Sequence, residues 1–203
     1  MTQDSSSPDF WETRYRADAT PWDAGGVPQR LATFLATENS HRKKVLVPGC
    51  GSGYEIAAFA KAGHAVTAID FSEAAVARTR QVLGALAGHV ILGDFFAAQL
   101  PTAGFDLIYE RTFLCALPRR LWPDYARRTA SLLRPGGCLA GFFFFDTNES
   151  GPPFGLKTGE LEALLTPHFV RIADEPIAPE ESVSVLAGKE RWQVWQRRCQ
   201  VSR

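Results

Sequence analysis

Three glycines, at positions 49, 51 and 53, fall in the run Val47-Pro48-Gly49-Cys50-Gly51-Ser52-Gly53-Tyr54-Glu55, just after a short apolar stretch. A backbone without Cβ atoms turns sharply there and lets a ligand approach closely. The dinucleotide fingerprint needs GxGxxG, and its last glycine would stand at position 54, which is tyrosine. Taken alone, the run fits a tight strand-to-helix turn with no ligand equally well. Asp70 sharpens the reading. It closes a second apolar stretch, 21 residues after Gly49, where a carboxylate can accept hydrogen bonds from ribose hydroxyls. Its other reading is a helix-capping aspartate, a part that Ser72 is placed to fill. Asp94 and Phe95 follow a third apolar stretch, as a pair able to accept from an adenine amino group and to pack on the base. The alternative there is a solvated loop aspartate beside a core phenylalanine. In sequence order the three segments supply a glycine loop, a ribose acceptor and an adenine contact, which together describe an adenosyl pocket.

The elements that position these residues alternate strand with helix. Strands are predicted at Lys44–Val47, Ala65–Ile69, Val90–Leu92, Phe105–Tyr109 and Cys138–Phe145, and helices at Tyr54–Ala62, Ser72–Leu86 and Arg119–Leu133. Arg134-Pro135-Gly136-Gly137 reads as a break. Phe169–Ala173 and Arg191–Arg197 are expected to be the last two strands, with no helix between them, making one antiparallel to the rest. The fold class is therefore α/β: a Rossmann-like, mostly parallel seven-stranded sheet with helices on both faces and one antiparallel strand near the C-terminus. Ligands of such sheets bind beyond the carboxyl ends of the strands. Ahead of the sheet lie an aromatic segment, Phe10–Trp22, and a helix over about Val27–Glu38, so residues 9–40 are expected to form a lid and helix. Residues 1–8 are polar, lack the apolar centre of a signal peptide and are expected to be disordered.

Composition narrows the class. At 203 residues a single domain is expected, and 45% hydrophobic residues suffice for one core. Lys plus Arg equal Asp plus Glu at 22 each, which gives no electrostatic case for nucleic acid or an anionic membrane as partner. Cys50, Cys115, Cys138 and Cys199 are dispersed, as in a cytoplasmic protein without disulfides or a zinc site. The run Cys138–Phe145 is too short to span a bilayer. His41, His64, His89 and His168 fall near loops and helix ends and read as solvated surface residues. No metal-ligand cluster or Ser-His-Asp order is present in the sequence. Neither composition nor motifs set the oligomeric state, with which a monomer is compatible.

The segments VLVPGCGSG, AIDFS, GDFF, FDLIYE and LLRPGG resemble those of class I S-adenosylmethionine-dependent methyltransferases over nearly the whole chain. Thr20-Pro21-Trp22-Asp23, the run from Tyr109 to Leu117, and Gly151-Pro152-Pro153-Phe154 resemble the thiopurine S-methyltransferase superfamily, and especially its thiol, halide and thiocyanate branch. The resemblance implies S-adenosylmethionine as cofactor, S-adenosylhomocysteine as product, and a small-molecule methyl acceptor. It implies cofactor contacts from Trp11, Tyr15, Trp22, Gly49, Gly51, Gly53, Asp70, Asp94, Phe95 and Glu110, with Tyr15 standing where relatives commonly carry a third tryptophan. Aromatic faces suit a sulfonium, because they attract cations and exclude water. Arg111 matches an arginine of the thiopurine enzymes and is expected beside the reacting methyl group, as catalytic and acceptor-binding residue. Its alternative is a structural salt bridge. Phe113, Pro152 and Phe154 are expected as acceptor-pocket walls. The chemistry implied is in-line displacement by a soft nucleophile, a thiol or sulfide first and a halide or thiocyanate next, without a dedicated base. An oxygen or nitrogen acceptor, a non-catalytic cofactor-binding module and an NAD(P)-dependent oxidoreductase are the rival readings, the last disfavoured by Tyr54.

Overall fold

Strand–helix alternation folds as expected into one sheet. The computed structural model describes residues 4–37, 42–186 and 188–199. The strands are β1 (Lys44–Pro48), β2 (Ala65–Asp70), β3 (Val90–Leu92), β4 (Phe105–Arg111), β5 (Leu133–Phe144), β6 (Phe169–Pro176) and β7 (Glu190–Arg197). The helices are α1 (Pro8–Arg16), α2 (Gln29–Thr37), α3 (Tyr54–Lys61), α4 (Glu73–Leu83), α5 (Trp122–Leu132) and α6 (Glu160–Leu165). Sheet order is β3-β2-β1-β4-β5-β7-β6, and β7 alone runs against its neighbours. Order reverses between β1 and β4, which pair in parallel through Val45–Leu107 and Leu46–Ile108.

Side-chain alternation along the strands divides the core into two layers. Leu46, Ile108, Leu139, Phe143 and Trp195 face Trp122 and Tyr125 of α5 and Leu161 and Leu165 of α6. Val45, Val47, Leu107, Tyr109 and Trp192 face Leu31 of α2, Ile56 and Phe59 of α3, and Val76 of α4. Each layer carries one fully buried tryptophan of β7. At about 25 cal/mol per Å2 of apolar surface, indoles buried on both faces make β7 a core strand rather than a frayed terminus.

Several boundaries shift for local reasons. α4 stops at Leu83 because Gly84 takes φ 53°, and a 3-10 turn carries the chain on to His89. Arg119–Leu121 is a 3-10 turn, and α5 starts at Trp122 with Pro123 in its first turn. β5 begins at Leu133, so the expected Arg-Pro-Gly-Gly break lies within the irregular start of that strand, where the β4 register shifts. The short helix α6, unforeseen in the sequence, precedes β6. Residues 4–8, expected to be disordered, are held in place. Asp4 accepts from the Ser6 N–H and hydroxyl (2.9 and 2.8 Å), and Arg120 reaches both Asp4 and Ser6 at 2.8 Å. Ser5 is buried, and α1 starts at Pro8. Glu38 and His41 lie outside the described residues. No helix among the described residues is long and apolar enough to cross a membrane, and no group of three or more His, Cys, Asp or Glu there could hold a metal ion.

Candidate active site

The reversal of strand order opens a cleft beyond the carboxyl ends of β1, β2 and β4, as doubly wound sheets require. A cavity of about 1000 Å3 fills it, and one of about 60 Å3 sits beside it under the glycine loop. Tyr15, Trp22, Gly49 and Thr112 line both, so the two cavities are neighbours with a shared wall.

The glycine loop follows β1. Gly49 takes φ 58°, and a Cβ there would run into the Phe113 ring. Gly51 takes φ 52°, and its Cβ would come within 2.9 Å of the Tyr15 hydroxyl. Gly53, grouped with these two in the sequence, lines neither cavity. It precedes α3 and faces α4, where a Cβ would meet the Thr79 methyl at 2.5 Å. Its need for glycine comes from helix packing rather than from a ligand.

Asp70 ends β2 on the cavity wall. Its carboxylate accepts from the Gly51 N–H at 3.2 Å and from the Ser72 N–H at 3.0 Å, which fixes it between the glycine loop and α4. Burial pushes its carboxyl up to about 6, against the pull of those N–H groups. Ser72 caps α4 by accepting from the Ala75 N–H at 3.1 Å, as its position predicts. Asp94 accepts from the Phe96 N–H at 2.8 Å and lines the same wall, with Phe95 buried behind it against Phe113. Phe71 and Phe96 also line this wall. Both stand directly beside residues already singled out, and that adjacency was the available signal.

α1 and the segment after it lie over the cleft. Trp11 and Trp22 meet edge to face with centroids 5.2 Å apart, and Tyr15 meets Trp22 at 5.9 Å. These three expected residues are brought together, and all line the large cavity. The lid is tied down by polar latches. Glu12 accepts from the Ser72 hydroxyl at 2.7 Å and the Ala74 N–H at 2.9 Å, at the N-terminus of α4. Burial pushes its carboxyl up, but the Ala74 N–H, the Ser72 hydroxyl and Arg16 outweigh that and hold it below its ordinary value. Arg78 of α4 pairs with Asp18 at 2.7 Å and lies 3.5 Å from Asp23, which also accepts from Ser52 in the glycine loop. Glu12 carried no signal in the sequence, because its partners lie 60 and 62 positions away.

The end of β4 departs from expectation. Glu110 and Arg111 are adjacent and so point to opposite faces of the sheet. Arg111 turns away from the large cavity. Its guanidinium stacks on Phe142 at 4.2 Å and lies 3.6 Å from Glu190 of β7, opening only to the small cavity. Nη1 and Nη2 are buried with no hydrogen-bond partner. Glu110 lines neither cavity; it is buried against α5, accepting from the Phe113 and Leu114 N–H groups and from the Tyr125 hydroxyl. Phe113 and Pro152 line the large cavity as expected. Phe154 does not. It packs against the core while its N–H donates to the Cys115 carbonyl at 2.7 Å, and Pro153 takes the wall position instead. No described histidine lines either cavity. His64, expected at the surface, is buried beside Phe59, with Nδ1 accepting from the Lys43 N–H at 3.2 Å.

The residues present suit S-adenosylmethionine. Gly49 lines both cavities and Gly51 the small one, a buried carboxylate stands at the end of β2, and Arg111, its terminal nitrogens without hydrogen-bond partners, lines the small polar cavity. Fold and cleft together define a class I S-adenosylmethionine-dependent methyltransferase. Comparison with known proteins agrees. Residues 6–198 match the sequence profile of the thiopurine S-methyltransferase (TPMT) family. The chain is 33% identical over 205 residues to a probable thiol methyltransferase 2 of Arabidopsis thaliana, covering 97% of this chain and 88% of that one. It is 32% identical to a thiopurine S-methyltransferase of Vibrio cholerae, covering 93% and 96%. Among solved structures, the 1,6-didemethyltoxoflavin-N1-methyltransferase of Burkholderia thailandensis, with S-adenosylhomocysteine bound, superposes with a TM-score of 0.74 at 20% identity, covering 95% and 87%. The chain belongs to the thiopurine S-methyltransferase family.

Proposed function

We propose that the acceptor is a soft sulfur nucleophile, a thiol or sulfide, with thiocyanate and halide ions as smaller members of the same class. The observation that carries this is that, among the described residues, the wall of the large cavity holds no poised base. Asp70 and Asp94 are occupied by backbone N–H groups, and Asp124 by Arg127. Burial, and then the nearby Asp70, hold the Tyr15 phenol well above its ordinary value, so it stays protonated. Burial does the same to the Cys115 thiol, with Glu110 adding to it, which keeps that wall cysteine from competing as a nucleophile. An acceptor that arrives as an anion needs no proton removed, whereas a neutral alcohol does. The relatives named for thiol and thiopurine methylation support the same reading.

In this reading the cofactor supplies an electrophilic methyl group on a sulfonium. Asp70 holds the ribose, Asp94 with Phe71 and Phe95 the adenine, and Gly49 and Gly51 let Phe113 and Tyr15 close on the loop that the cofactor meets. Trp11, Tyr15 and Trp22 cover the sulfonium and exclude water. Arg111 is assigned to the carboxylate of the cofactor's amino-acid end rather than to the acceptor, because it lines the small cavity and not the large one and its terminal nitrogens lack hydrogen-bond partners. Attraction of an anionic acceptor falls instead to Arg14, which lines the large cavity. Phe113, Pro152, Pro153 and Leu117 form its apolar wall. Positioning of two reactants in such a cleft supplies about 7–11 kcal/mol of the barrier reduction. The test is incubation with S-adenosylmethionine and a panel of sulfide, alkyl and aromatic thiols, thiocyanate, iodide, phenols and amines, followed by headspace and liquid analysis. Methylated sulfur products support the proposal, and transfer confined to phenols or amines overturns it.

A further inference from the structure

Beyond β4 the chain makes a turn that its own residues do not favour. Thr112 takes φ 56°, in the left-handed region where a β-branched side chain crowds its backbone. Its hydroxyl donates to the adjacent Arg111 carbonyl at 2.7 Å, a bond internal to the turn. A tie to α5 comes from Glu110, which is 1% exposed. Its Oε1 accepts from the Phe113 N–H at 2.9 Å and the Leu114 N–H at 3.0 Å, and its Oε2 accepts from the Tyr125 hydroxyl of α5 at 2.7 Å. The turn so held is part of the site. Thr112 lines both cavities, and Phe113 lies against the Cα of Gly49 with no room for a methyl group between them. One carboxylate outside both cavities thus links α5, the turn after β4 and the glycine loop after β1.

We infer that Glu110 is a positioning residue for methyl transfer: its ionised side chain clamps the left-handed turn at Thr112 and so fixes the wall that the cofactor meets. This rests on the assignment of the cleft to S-adenosylmethionine. An ionised carboxylate receives three charge-assisted hydrogen bonds, each roughly twice as strong as a neutral one. A protonated carboxyl loses that strength and brings a second O–H into the contact with Tyr125. Burial pushes the Glu110 carboxyl up to about 7, against the Leu114 N–H, the Tyr125 hydroxyl and the Phe113 N–H, so both forms are populated near neutral pH. The titratable groups facing it are the Tyr125 phenol on α5 and the Cys115 thiol beyond the turn, and the Tyr109 phenol on its own strand senses it from the opposite face of the sheet. Burial raises all three, so none supplies a compensating charge.

The experiment measures S-adenosylhomocysteine affinity by calorimetry, and Tm, from pH 6 to 8.5 for wild type, Glu110→Gln, Glu110→Ala and the double variant Glu110→Ala/Thr112→Gly. Glutamine mimics the protonated clamp. The ratio of its Kd to that of wild type should therefore rise from about 1 at pH 6 to about 5 at pH 8.5, and Asp70, common to both proteins, cancels from the ratio. Glutamine also carries no charge to bury, so its Tm should exceed that of wild type at pH 8.5. Weaker binding by a more stable protein is a pairing that a merely structural residue would not give. Glu110→Ala should bind at least about tenfold more weakly, and glycine at 112, which takes the same φ without a clamp, should recover most of that loss. A ratio fixed at 1 across the pH range overturns the inference, as does a double variant no better than Glu110→Ala. If Glu110→Ala does not fold, the glutamine series decides alone. Failure of wild type to bind S-adenosylhomocysteine would overturn the cofactor assignment itself, and this inference with it.

Discussion

Replacing Arg111 by glutamine separates the two roles an arginine could have at the end of β4. In the structure its Nη1 and Nη2 are buried without hydrogen-bond partners, and the nearest carboxylate oxygen, on Glu190, is 3.6 Å away. A carboxylate bound in the small cavity would give those nitrogens their partner. One hydrogen bond to a charged group contributes about 1.5–3 kcal/mol, or roughly 10- to 150-fold in affinity. The assay compares S-adenosylhomocysteine with 5′-methylthioadenosine, which keeps the adenosine and the sulfur but lacks the amino-acid end. Arg111→Gln should weaken the first by at least about tenfold and leave the second within about twofold. Removing the cation also strands the buried Glu190, a loss that can reach about 3–5 kcal/mol of stability. The variant Arg111→Gln/Glu190→Gln restores neutrality and should show the same selective loss. Equal weakening of both ligands would mean general damage. Unchanged affinity for both, with a raised KM for a thiol or iodide, would return Arg111 to the acceptor and refute the reassignment.

Changes at three further residues test the same geometry. Gly49→Ala forces a Cβ into the Phe113 ring at φ 58°, so chemical denaturation should show a loss of about 1–3 kcal/mol, with S-adenosylhomocysteine binding lost as well. Asp70, with its carboxyl near 6, should make cofactor affinity rise with pH between about 5 and 7, a dependence that Asp70→Asn abolishes. Because burial raises its pKa on folding, the stability Asp70 contributes is present at low pH and lost as pH rises through about 6, so Asp70→Asn should unfold at a higher temperature than wild type at pH 8. Arg14, whose guanidinium lies over the Phe10 ring at the cavity rim, should on change to glutamine raise KM for anionic acceptors several-fold while leaving S-adenosylhomocysteine affinity unchanged, as measured by initial rates at low and high salt.

Much of this was legible in the sequence, and the misreadings share a physical cause. Spacing along the chain placed the glycine loop, Asp70 and the Asp94–Phe95 pair at strand ends on the cavity wall and Ser72 at a helix cap, because strand ends and caps are set by neighbours a few positions away. Direction was misjudged where strand geometry decides it. Glu110 and Arg111 were placed in one site, although period-two alternation sets Tyr109 and Arg111 on one face and Ile108 and Glu110 on the other. Residues 4–8 read as disordered because they are polar, but Arg120, more than 100 positions away, captures Asp4 and Ser6. Glu12 on α4, Gly53 against Thr79 and His64 beneath Lys43 are likewise set by contacts distant in the chain. The short α6 was hidden because a single hydrophobic turn carries too little periodicity to register.

The central claim is that the cleft methylates a nucleophile which arrives without a proton to remove. Its most direct measurement is the rate of S-adenosylhomocysteine formation with a matched pair, thiophenol and phenol, at pH 7.5 under saturating S-adenosylmethionine. The account predicts methylation of the thiol, identified by mass spectrometry as the thioether, with phenol at background. Turnover of phenol at a comparable or higher rate would contradict it, because among the described residues the wall of the large cavity holds no group placed to take the phenol's proton.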